Sequence, residues 1–124
     1  MIFFDRSIPR SVAEALKLVR DDVRWLEDEF PGDVKDPVWL AEVGRREWLV
    51  LSRDKRIRYR PAEKQAIIQH RVGCFCIMQG SNPTRWEYLR LIVPLLDRME
   101  EIFATVERPF LYGIDKAGNL TRLI

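Results

Sequence analysis

The run Trp48-Leu49-Val50-Leu51 is apolar at every position, with no polar side chain alternating through it. A strand of that kind is buried on both faces, which is the habit of a central parallel strand covered by helices above and below. Ile2-Phe3-Phe4 and the stretch Gly73 to Met78 are further strand-like runs, and segments with helical spacing lie between them. Strands alternating with helices predict an α/β layered fold around a central, mostly parallel sheet.

The helical segments carry their own start and stop signals. Ser11 followed three residues later by Glu14 predicts an N-cap with a capping box, and Val12, Ala15, Leu16 and Val19 fall on one face. Val23-Arg24-Trp25-Leu26 is a short strand near an edge, and the Pro-Gly pair in Phe30-Pro31-Gly32-Asp33 marks a loop. Asp36 is placed to cap a helix with Pro37 at its first position, and Leu40, Val43 and Gly44 carry that helix to the sheet. A helix from Pro61 to His70 begins with proline and an acid, Glu63. Thr84 is the expected cap of a long helix reaching Thr105, which Pro94 kinks or restarts. Phe110 to Ile114 and Asn119 to Leu123 flank Asp115-Lys116-Ala117-Gly118, a hairpin signature.

A chain of 124 residues suits a single domain spanning residues 1–124. No apolar run approaches the roughly 18 residues that span a bilayer, so no membrane contact is expected. The opening residues show no basic leader with a cleavage site, which points to a cytoplasmic protein. Cys74 and Cys76, two apart on one strand, face the same side and are expected to be buried free thiols. His70, the lone histidine, lacks a nucleophile partner and reads as an exposed or helix-capping residue. Trp25, Trp39, Trp48 and Trp86 read as core.

Three acids stand where an acid does not help the fold. Asp5 ends the first strand, Asp54 follows the Trp48 to Leu51 strand, and Asp36 opens a helix. In an open parallel sheet the carboxyl ends of strands and the first turns of the following helices share one edge, where ligands bind. Each acid taken alone reads as a local cap or turn former. Gathered on one edge, they would repel by roughly 4 kcal/mol per pair at about 4 Å and an effective dielectric near 20. A hard divalent cation relieves that repulsion, which makes Asp5, Asp36 and Asp54 candidate metal-binding and catalytic residues for phosphodiester chemistry. Asp33 and Glu63 are lesser candidates near the same edge. The net charge is only +2, yet Arg53, Lys55, Arg56, Arg58 and Arg60 crowd one stretch, read either as a solvated loop or as a holder of phosphate.

These residues resemble a known family. Ile2-Phe3-Phe4-Asp5-Arg6-Ser7-Ile8-Pro9 looks like the opening strand and turn of PIN-like domains, and Asp36-Pro37-Val38-Trp39-Leu40 resembles their helix-opening acid. Trp48 to Ile57 is similar to their strand followed by Ser-Arg-Asp, here Ser52-Arg53-Asp54. The likeness runs from Ile2 to about Met78 and is strongest to the toxins of VapC-type toxin–antitoxin pairs. It implies a three-layer α/β fold with a C-terminal β-hairpin and a ribonuclease using Mg²⁺ or Mn²⁺, with Asp5, Asp36 and Asp54 as its metal ligands. Arg53, Lys55, Arg56 and Arg58 would meet RNA phosphate. The partners implied are an RNA substrate, a cognate antitoxin and, as a further candidate, a second copy of the chain. One departure stands out: the family commonly adds a fourth acid soon after the third, and here Lys55, Arg56 and Arg58 follow Asp54. That departure points to one firmly held metal rather than two, or to weakened activity.

Two other functions fit the same layered fold. A phosphoacceptor receiver module would use Asp54 as its acceptor, although Arg6 stands beside Asp5 where a second acid is expected and no lysine marks the exit of the Gly73 to Met78 strand. A catalytically degenerate PIN fold would act only as a binding subunit.

Overall fold

A computed structural model describes all 124 residues, apart from the side chains of Lys55 and Arg58. The chain runs β1 (Ile2–Phe4), α1 (Arg10–Lys17), β2 (Val23–Trp25), α2 (Leu26–Glu29), α3 (Asp36–Arg45) and β3 (Leu49–Ser52). A 3₁₀ turn (Lys55–Arg58) leads to α4 (Pro61–Gln69) and β4 (Gly73–Ile77). Then come α5 (Arg85–Ile92), a second 3₁₀ turn (Val93–Leu95), α6 (Leu96–Thr105), β5 (Phe110–Ile114) and β6 (Leu120–Arg122). The strands form one six-stranded sheet in the order β2-β1-β3-β4-β5-β6, parallel except for the terminal β5–β6 hairpin.

Alternation along the strands sorts the core into two layers. Ile2, Phe4, Leu49, Leu51, Phe75, Ile77, Phe110 and Ile114 pack on the face covered by α1, α5 and α6. Phe3, Val50, Cys74, Cys76 and Leu111 face the opposite layer, which α3 and α4 fill with Trp39, Leu40, Val43, Ala66 and Ile67. The expected three-layer α/β architecture with its C-terminal hairpin is therefore present. The hairpin turn is held by the Asp115 carboxylate, which accepts from the amides of Ala117 and Asn119 at 2.9 and 2.8 Å. Gly118 takes φ +86°, a conformation that favours glycine. Among the described residues no helix is long and apolar enough to cross a membrane.

Several local expectations need correction. Ser11 is not the cap of α1; the helix starts one residue earlier, at Arg10 behind Pro9, and makes no side-chain cap. It also ends at Lys17, so Val19, expected on the apolar face, is exposed. Leu26 leaves the strand and begins α2, because the Asp28 carboxylate accepts from the Trp25 amide at 2.8 Å and turns the chain. Asp36 is the first residue inside α3 and Lys35 occupies the cap. The Thr84 capping box with Glu87 forms as expected. The long helix behind it divides at Pro94, which has no N–H to continue the ladder. Trp86, read as core, is exposed, and Tyr88 is buried.

Helices α3 and α4, which carry Asp36 and Glu63, approach closely at Gly44, where an added Cβ would run into the carbonyl oxygen of His70. Gly44→Ala should destabilise the protein by about 1–3 kcal/mol through overpacking, read as a lower urea midpoint with an unchanged slope. A midpoint equal to wild type would show that the two helices separate without strain.

Candidate metal and phosphate site

Chain topology prepares the site. From β1 the chain passes to β2 on one side, then returns over β1 to reach β3 on the other. The crevice at the carboxyl ends of β1 and β3 is thus the point where the winding reverses, the usual ligand position in open α/β sheets. Register pairs Phe4 with Leu51, so the next residues out, Asp5 and Ser52, lie side by side.

Asp5 is buried at 4% exposure and its two oxygens are held by short-range bonds. Oδ1 accepts from the Ser7 amide at 2.9 Å and from the Ser7 hydroxyl, and Oδ2 accepts from Ser52 Oγ at 2.7 Å. Each serine in turn accepts a backbone amide of the β3 exit: Arg53 N to Ser7 Oγ at 2.8 Å, and Asp54 N to Ser52 Oγ at 3.0 Å. Both serines stand in the segments that resemble PIN-like domains, but the sequence assigns neither of them a role. The available signal was Ser52 itself, a hydroxyl closing an otherwise apolar strand.

Asp36 and Asp54 are differently placed. Asp36 Oδ1 accepts from Trp39 Nε1 at 2.9 Å and lies 3.5 Å from Arg6 Nη1. Asp54 caps the first 3₁₀ turn through the Arg56 amide at 3.1 Å, and its Oδ2 accepts from Arg60 Nη1 at 3.0 Å. The same Arg60 nitrogen stands 3.9 Å from Asp36 Oδ2 and 3.9 Å from Glu63 Oε1. Arg60 thus joins two of the three sequence-predicted acids and brings in Glu63, the lesser candidate. Asp33, by contrast, is exposed on the loop before α3.

The basic stretch is not a plain solvated loop, since it forms a 3₁₀ turn anchored by buried Ile57. Arg53 reaches the loop after β4, where Nη2 donates to the Ser81 carbonyl at 3.1 Å, and its Nε is buried with no hydrogen-bond partner among the described residues. Arg56 is exposed and 3.7 Å from Asp54. The expected phosphate contacts of Lys55 and Arg58 depend on side chains outside the described residues. Both cysteines are buried, as expected, and burial raises the Cys74 thiol well above its ordinary range.

The donor chemistry fits a hard cation. Asp5, Asp36, Asp54 and Glu63 offer only oxygen. Asp5 in particular has no ion pair among the described residues, and the Asp36 charge adds to its repulsion. As the side chains stand, no group of three or more acids, histidines or cysteines among the described residues is drawn together tightly enough to hold a metal. Arg6, Arg56 and Arg60 are the counterions of Asp36 and Asp54 instead.

Burial pushes the Asp5 carboxyl up from 3.8 to about 6, against the lowering effect of the serine hydrogen bonds. The folded state therefore binds this proton more tightly than the unfolded chain. The stability gained is complete below about pH 4 and is lost as pH rises through about 6. Asp5→Asn, which cannot ionise, should be more stable than wild type by about 1–3 kcal/mol near pH 7.5 in a chelator, and the advantage should shrink toward about pH 4.5. Thermal unfolding at the two pH values checks this; an advantage that does not change with pH would mean that Asp5 is not the group responsible.

Comparison with known families matches the PIN like domain over residues 1–79, a span holding all three candidate acids and the basic stretch. No curated protein and no solved structure matches the chain. The chain belongs to the PIN-like domain family, whose members are generally nucleases and typically use divalent metals.

Proposed function

We propose that this protein is a metal-dependent endoribonuclease and the toxin of a type II toxin–antitoxin pair. The observation that carries this reading is Asp5, a buried carboxylate without an ion pair among the described residues, at the carboxyl end of a central strand in a PIN-like chain. Asp5, Asp36 and Asp54 would hold Mg²⁺ or Mn²⁺, with Glu63 near enough to Arg60 to share the same cluster. Bound there, the cation would stabilise charge on a phosphate and lower the pKa of a water molecule.

The chain's own residues supply position. Ser7 and Ser52 fix both oxygens of Asp5, and Trp39 fixes one oxygen of Asp36. Arg56 borders Asp54, the Arg53 guanidinium reaches toward the loop after β4, and both carry donors suited to phosphate oxygens. Lys55 and Arg58 belong to the same proposed surface on sequence grounds. An antitoxin covering this edge would present acidic or apolar groups to these arginines.

Two observations keep the rival functions in the test. Arg6 and Arg60 already neutralise Asp36 and Asp54, which suits a binding subunit. The β2-β1-β3-β4-β5 order is also that of doubly wound phosphoacceptor folds. Purified protein with Mn²⁺ should cleave members of a single-stranded RNA panel, EDTA should stop it, and Asp5→Asn or Asp54→Asn should slow cleavage by about 100-fold or more. RNA binding without cleavage would assign a binding subunit, and a stable acyl phosphate on Asp54 after acetyl phosphate treatment would assign the phosphoacceptor.

The arginine surface has its own test. Arg56→Glu should weaken RNA binding. The slope of log affinity against log salt should become shallower by about 0.7 for each single-strand phosphate that the protein no longer neutralises. An unchanged slope would remove Arg56 from the RNA surface.

A further inference from the structure

Arg60 occupies an unusual position. It is the cap residue of α4, at the helix end where the macrodipole disfavours a positive charge. Its placement is accounted for by the three carboxylates around it: Asp54 at 3.0 Å, Asp36 at 3.9 Å and Glu63 at 3.9 Å, all approached by the single nitrogen Nη1. The three acids come from the β3 exit, the first turn of α3 and the first turn of α4. Their side chains are between 14% and 22% exposed, and that of Arg60 is 36% exposed, so the guanidinium sits at the mouth of the cluster. Asp5, buried at the end of β1, makes no ion pair with Arg60 among the described residues.

We infer that Arg60 is a tethered counter-cation, which holds Asp36, Asp54 and Glu63 together in the metal-free protein and competes with a divalent cation for them. The inference rests on the proposed metal site. Two cations sharing the same carboxylate oxygens repel, so metal uptake and the Arg60 pairs exclude one another. The arrangement makes the metal-free site stable and sets a threshold concentration for loading. On release, the guanidinium remains one residue from α4 at the mouth of the site, free to meet an anion.

The test is Mn²⁺ affinity, measured by titration calorimetry on wild type, Arg60→Gln and Arg60→Lys. Arg60→Gln should bind Mn²⁺ about tenfold tighter than wild type, and in EDTA at low salt it should melt at a lower temperature. Arg60→Lys keeps the charge but loses the planar fork. It should bind Mn²⁺ with an affinity between the other two, which gives the comparison a folded partner if the glutamine variant does not fold. A role confined to holding the fold would weaken Mn²⁺ binding in both variants. If wild type binds Mn²⁺ and Asp54→Asn abolishes that binding, but neither Arg60 variant binds tighter, the counter-cation role is overturned while the metal site stands. If no form of the protein binds Mn²⁺, the metal site and this inference fall together.

Discussion

The pairing of β1 with β3 is the interaction on which the rest of the site depends. Its register sets Phe4 against Leu51 and so delivers Asp5 to the side of Ser52. A slip by one residue would turn the carboxylate toward the opposite layer and exchange Phe3 with Phe4 in the two cores. Both neighbours of that slip are fully buried aromatic rings, and the Phe3 ring packs tilted against Trp39 with centroids 5.3 Å apart, so the packing on each face fixes the register independently. Hydrophobic burial that has no chemical selectivity of its own thereby aims a charged group to within hydrogen-bonding distance.

What results is an asymmetric crevice. On the solvent side Asp36, Asp54 and Glu63 are matched by arginines, and those half-exposed pairs contribute little stability individually. On the inner side Asp5 has dipoles for partners but no ion pair among the described residues. Serine hydroxyls and an amide lower the energy of the carboxylate, yet burial outweighs them and its proton is held to about pH 6. The fold tolerates an acid that it does not neutralise, and active sites are where such perturbed groups concentrate.

Much of this was legible in the residues. Trp48 to Leu51 announced a doubly covered strand, and Pro37, Pro61 and Thr84 marked helix starts because their backbone requirements are local. Asp5 and Asp54 could be placed at strand ends for the same reason. Arg60 and the two serines could not be read in this way. Their roles arise from contacts between segments distant in sequence, Ser7 with Arg53 and Arg60 with Asp36, and no periodicity encodes such contacts. The mistaken cap at Ser11 has a related cause: a capping box is a frequent pattern, and here Pro9 and the Asp5 turn had already set where the chain could enter the helix. Trp86 misled because helical spacing shows that a face is apolar without showing whether anything covers it.

The serine bridges also tie the state of the inner carboxylate to the main chain. Ser7 Oγ and Ser52 Oγ each give their proton to Asp5 and receive one from the amides of Arg53 and Asp54. With both hydroxyl protons committed inward, the 3.4 Å approach of the two oxygens is contact without a bond. Whatever loosens the carboxylate therefore loosens two peptide groups at the β3 exit. Those amide protons, exchanging with solvent on their own clock, are reporters written into the backbone, able to register a change at the centre of the molecule without any label attached to it.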